Sequence, residues 1–240
     1  MTYFNIDFLF FLKQMYFLCK KNIIVKNIII FALALFCSCS VTRHITPLEK
    51  GEHDLSFSFG GPLIKFSGLI IPVPLTAINY GYGYTDRLSL SSGFHTTSLM
   101  FGVFHFDFNA PYSLYKGDKF GITTKPGFHF MADKFEKNIS FYPFLETIPY
   151  YIYNEKGNMF FGTASFMFDT RSQKAFNIKN TNRIVPYISI GHIFKSTNIN
   201  YTIEMKYLNF SASNKDLVTE YISPSNYGAL GLFFGISKTF

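Results

Sequence analysis

From Asp54 onward the chain alternates. Ile199, Tyr201, Ile203, Met205 and Tyr207 are interleaved with Asn200, Thr202, Glu204 and Lys206. Leu55, Phe57 and Phe59 alternate with Ser56 and Ser58, and Phe104, Phe106 and Phe108 alternate with His105, Asp107 and Asn109. In the last segment Leu230, Leu232, Phe234, Ile236 and Phe240 share one face, with Lys238 near its end. Ala229, Gly231, Gly235, Ser237 and Thr239 share the other, interrupted by Phe233. Period two is the signature of strands, and no long helical spacing competes with it. The alternation predicts ten strands, over 52–60, 75–84, 87–96, 99–109, 119–131, 139–153, 157–169, 183–194, 198–210 and 227–240. Pro143 and Pro149 sit awkwardly in a central strand and suggest a bulge or a strand end.

The two faces differ in a way that fixes the surroundings. One face is Ser, Thr, Gly and Asn; the other is Phe, Tyr, Ile and Leu. Aromatic residues reach 20%, as 31 Phe and 16 Tyr, while charged residues are only 15%, against roughly 25% in soluble domains. So many rings are hard to hide in one small core but are at home against hydrocarbon. Strands with free edges in a bilayer leave backbone donors and acceptors unpaired, so the sheet must close into a barrel. The expected fold is therefore all-β, a closed antiparallel up-and-down transmembrane β-barrel of about ten strands, eight to twelve being compatible with the pattern. Its connections alternate in length. The set 61–74, 97–98, 132–138, 170–182 and 211–226 is mostly long, and 85–86, 154–156 and 195–197 are tight, with 110–118 the exception. Long loops at one end and short turns at the other are expected of outer-membrane barrels. Tyr80, Tyr82, Tyr84, Tyr151, Tyr153 and Tyr207 fall near strand ends, where interface girdles sit.

The N-terminal part reads differently. Lys20, Lys21 and Lys26 precede an apolar run from Ile28 to Cys37, followed by Ser38-Cys39-Ser40. That order reads as a secretory signal peptide over 1–38, with Met15 a candidate start. Leu35-Phe36-Cys37-Ser38-Cys39 resembles a bacterial lipoprotein cleavage box, although Phe36 departs from the usual Leu. The resemblance implies lipidation of Cys39, residues 39–51 as a lipid-anchored linker, and 52–240 as the barrel. The terminal strand, with Phe240 preceded by Ile236 and Phe234, resembles that of small bacterial outer-membrane β-barrels. So does Gly83-Tyr84-Thr85-Asp86-Arg87-Leu88 as a periplasmic hairpin. The resemblance implies that Phe240, Ile236 and Phe234 form the signal read by the barrel-assembly machinery. It also implies location in the outer membrane of a Gram-negative bacterium, in contact with its lipid.

The chemistry on the polar faces is sparse. His105 and Asp107 share one strand face, Lys125 and His129 another, and Glu204 and Lys206 a third, with Glu146 a further inward candidate. The first six are expected to form a polar network in the lumen, since inward charges in a narrow barrel must pair. His95 and Thr96, beside Thr97 and Ser98, leave open a hydrolase acting at the outer leaflet. No P-loop, HExxH, GxSxG or EF-hand pattern is present. No Cys follows Cys39, which excludes a disulfide framework and a cysteine-based zinc site from the barrel. The net charge of +7 is scattered, with no basic stripe for nucleic acid. The expectation is a non-catalytic barrel without cofactors, serving structure, surface interaction or minor passage of small solutes. The barrel-embedded hydrolase and a soluble periplasmic lipid-binding lipoprotein are the alternatives.

Overall fold

The computed structural model describes residues 42–135, 139–172, 180–197, 199–215 and 219–240. The strands are β1 (His53–Phe66), β2 (Leu69–Pro72), β3 (Leu75–Thr85), β4 (Leu88–His95), β5 (Val103–Asn109) and β6 (Tyr112–Lys116). They continue as β7 (Phe120–Asp133), β8 (Ile139–Ile152), β9 (Met159–Phe168), β10 (Ile184–Phe194), β11 (Asn200–Ser213) and β12 (Tyr227–Thr239). One short helix, α1 (Thr96–Met100), follows β4.

Each wall strand pairs antiparallel with its neighbour, and β12 returns to β1, from Asp54↔Thr239 to Pro62↔Gly231. β5 and β6 act as one wall strand broken at Ala110-Pro111, both lying between β4 and β7. β2 folds back only on the end of β1. The wall is thus a closed barrel of ten strands. Closure satisfies the ladder of every wall strand, which is what an apolar surrounding demands. At the β1–β12 seam Gly60 has φ 133°, and a Cβ there would meet the backbone of Leu232 and Phe233. Only glycine fits that close approach.

The alternation has the sense read from the sequence. Phe57, Phe104, Tyr201 and Phe234 are exposed on the outside, whereas Ser56, Ser58, Ser89 and Ser91 are buried in the lumen. The outside carries an apolar belt, with Ile203 and Met205 between Tyr201 and Tyr207 on β11. Such a belt has no counterpart on a water-facing surface and matches the lipid-facing band of a membrane barrel.

Four details depart from the sequence reading. The 110–118 connection contains β6, so the turn is only Gly117-Asp118-Lys119, closed by a Gly117 N–H bond to the Phe120 carbonyl at 2.9 Å. The turns at this end are then uniformly short. The strand expected from residue 99 begins at Val103, because α1 occupies Thr96–Met100. The inner face is less uniformly small than its composition suggested. Tyr142, Phe144, Ile148, Tyr150, Met159, Phe161 and Phe233 point inward and are buried. Finally, the stretch expected as a linker is, from Thr42 to Leu48, inside the barrel.

Candidate functional site: the plugged lumen

The lumen is filled from below by the chain's own N-terminal segment. Gly51 N–H bonds the Gly83 carbonyl at 2.8 Å and Gly83 N–H bonds the Glu52 carbonyl at 2.9 Å, so residues 51–52 lie at the short-turn mouth. Reading back from there, Leu48 N–H donates to Ser89 Oγ at 2.7 Å, and Thr123 Oγ1 donates to the Ile45 carbonyl at 2.7 Å. The Ile45 side chain packs among Ile148, Tyr150, Met159 and Phe161. This explains the large inward side chains of β8 and β9. They are the apolar seat of the plug, and burying an Ile is worth about 1.5–3 kcal/mol.

Above that seat the contacts become ionic. Arg43 pairs with Asp107 through Nη2, and its Nη1 donates to Asn79 Oδ1 at 2.5 Å. Lys125 Nζ pairs with Glu146 and donates to the Arg43 carbonyl at 3.4 Å. Thr42 N–H and Oγ1 both donate to Glu204, at 2.6 Å each, and Ser189 Oγ donates to the same carboxylate at 2.5 Å. Lys206 Nζ lies 3.6 Å from Glu204 and over the rings of Tyr187 and Phe233, at 4.7 and 5.3 Å. Tyr187 donates to Glu146 at 2.5 Å. Three cations, Arg43, Lys125 and Lys206, thereby face three carboxylates, Asp107, Glu146 and Glu204. The wall supplies two of the cations and all three anions, and the plug supplies the third cation. Buried charges persist only when paired in this way.

The six residues expected in the lumen all lie there. His105 and Asp107 come from β5, Lys125 and His129 from β7, and Glu204 and Lys206 from β11. Sequence reasoning did not bring Arg43, Thr42 or Ile45 into the lumen. It left open, as an alternative, a hydrolase at His95 and Thr96 beside Ser98. In the structure Asp107 accepts from His95 Nε2 at 2.7 Å, while Ser98 Oγ meets His105 Nδ1 at 3.4 Å. The serine and the carboxylate therefore touch different imidazoles, and no continuous Ser–His–Asp relay forms among them. Cys39 lies outside the described residues. Phe234, Ile236 and Phe240 face outward, and Phe240 is tied to His53 by reciprocal backbone bonds of 2.8 and 2.9 Å.

Two cavities flank the plug. One of about 700 Å³ opens at the short-turn mouth, between Glu49, Glu52, Lys116, Tyr150 and Lys195. The other, of about 340 Å³, lies on the long-loop side. Arg43, His95, His105, His129 and Lys125 line it, along with Tyr187 and Phe233.

No protein-family model and no curated protein matches the sequence. Solved structures do match in fold. An outer membrane channel from Pseudomonas putida F1 aligns over 84% of this chain and 100% of its own, at 9% identity and TM-score 0.50. The NanC porin aligns over 77% and 98%, at 10% identity and TM-score 0.43. The translocator domain of the autotransporter NalP from Neisseria meningitidis aligns over 80% and 90%, at 8% identity and TM-score 0.43. At such identities the likeness is one of fold: the chain has the fold of an outer-membrane β-barrel.

Proposed function

We propose that the chain is an integral outer-membrane barrel, a non-catalytic passage for small polar solutes held closed by its own N-terminal segment. The single observation that carries this reading is the seating of Thr42–Leu48 across the lumen, with Arg43 pairing the wall's buried Asp107. A ten-stranded wall without that segment would leave a narrow polar bore between the two flanking cavities. A purely structural barrel has no need of a detachable-looking closure made of hydrogen bonds and ion pairs. The apolar belt and the terminal Phe240 with Ile236 and Phe234 support insertion from the periplasmic side by the barrel-assembly machinery.

The test is conductance. The full chain, folded into planar bilayers, passes almost no current. A variant lacking residues 42–48 shows steady small-ion conductance. Equal, negligible conductance of both would remove the passage reading and leave a structural barrel.

The lipid anchor belongs to the same proposal. Cys39 stands three residues before Thr42, a reach of at most about 11 Å. Thr42 is held by Glu204, four residues above the start of β11. A lipid on Cys39 would tether the chain just ahead of the segment that enters the lumen.

A further inference from the structure

Three of the chain's six histidines meet at one point of the lumen, and neither the plug nor the solute reading uses them. His95 ends β4, His105 lies on β5 and His129 on β7, three successive walls of the barrel. Their ligand-capable nitrogens all fall within 4.8 Å of one another. We propose that His95, His105 and His129 form a binding site for a divalent transition-metal cation such as Zn²⁺, at the floor of the 340 Å³ cavity on the long-loop side.

The geometry favours a metal over a mere polar filler. His105 Nε2 and His129 Nδ1 stand 3.1 Å apart. Two imidazole nitrogens bound tetrahedrally to zinc at 2.0–2.1 Å are roughly 3.3 Å apart, so this edge of the site is already set. The third donor needs one movement. The His95 and His105 rings are stacked at 3.7 Å with a 7° interplanar angle. Parallel rings cannot aim two lone pairs at one point, so His95 turns out of the stack to complete the set.

The surroundings fix the tautomers that binding requires. Asp107 accepts from His95 Nε2 at 2.7 Å, leaving Nδ1 with its lone pair free. Ser98 Oγ, 3.4 Å from His105 Nδ1, accepts a hydrogen bond from Nδ1–H in the tautomer whose Nε2 lone pair faces the metal. The ligands remain neutral imidazoles, and no proton leaves the site. A carboxylate and a hydroxyl behind ligating histidines are the usual orienting partners of such sites. Arg43 pairs with Asp107 and so keeps that carboxylate behind His95 and away from the cation. Three nitrogens with one open position toward the cavity suit zinc, copper, nickel or cobalt. They do not suit magnesium or calcium, which require oxygen. The site faces the long-loop cavity, so its loading does not depend on the plug leaving.

The experiment uses the untagged full chain, folded in detergent and stripped with a chelator. Zn²⁺ alone is titrated by calorimetry, and Co²⁺ is followed by its visible spectrum. The expected result is one Zn²⁺ per chain and a four-coordinate Co²⁺ spectrum. His129→Gln weakens zinc at least a hundredfold. Asp107→Asn weakens it about 10–100-fold, the range for partners of ligating histidines. His53→Gln, at the outer seam, leaves binding unchanged. Heat-modifiable gel mobility reports that each variant is folded. The proposal is overturned if the wild type binds no stoichiometric zinc. It is also overturned if its Co²⁺ spectrum is purely octahedral, or if folded His129→Gln binds as tightly as the wild type.

Discussion

Replacing Arg43 with Met tests whether charge holds the plug. Asp107 has no exposed side-chain surface and takes three donors: Arg43, His95 at 2.7 Å and Asn109 Nδ2 at 3.2 Å. Met preserves most of the aliphatic stem but strips the ion pair and the bond to Asn79. Breaking a buried pair from one side costs about 3–5 kcal/mol, mostly for the charge left behind. Two donors still serve Asp107, which places the cost near the lower figure. About 3 kcal/mol shifts the seated-to-withdrawn ratio by roughly 150-fold. The assay is single-channel recording in planar bilayers, where open events become correspondingly more frequent. The double variant Arg43→Met/Asp107→Asn removes the stranded charge as well and returns most of the closure, a non-additivity that identifies the pair. The reasoning is refuted if Arg43→Met stays as closed as the wild type. It is equally refuted if the double variant is as open as the single one.

Three further outcomes follow from the same contacts. Gly93→Val puts a side chain against the Arg43 guanidinium, the Asp107 carboxylate and Asn79; the barrel still shows heat-modifiable mobility while its conductance rises above wild type. Met205→Arg places a charge mid-belt on the lipid face, and chemical unfolding from vesicles shows about 2–4 kcal/mol lost; no loss would mean this face does not meet hydrocarbon. Cys39→Ser abolishes labelling by a radioactive fatty acid. An unlabelled wild type would remove the anchor.

Much of the wall was legible in the chain because period two is a property of single strands. The positions of His105, Asp107, Lys125, His129, Glu204 and Lys206 follow from parity alone, and so does the outward sense of Phe104 and Tyr201. Height along the barrel is not a property of single strands. It depends on register, such as Asp107↔His129 and Phe94↔Phe106, which no local pattern specifies. This is why three histidines at inward parity on neighbouring strands went ungrouped, although their recurrence was the available signal. The plug was illegible for another reason. Thr42–Leu48 has no periodicity of its own, and its partners come from Asn79, Ser89, Asp107, Thr123, Lys125 and Glu204. Only the closed sheet brings those six together. Phe233, which broke the polar face of the last strand, was a true sign that the interior holds bulk there.

Residues 42–52 run directly into β1, and β12 follows every other wall strand in the described chain before pairing with it. Closing the ring at this seam encloses a segment that is tied to the mouth at residues 51–52. Asp107 and Glu204 would otherwise be enclosed without Arg43 and Thr42 to neutralise and cap them. The segment thus serves the wall as an internal counter-charge: a chain made without it must trap water or counterions in its place.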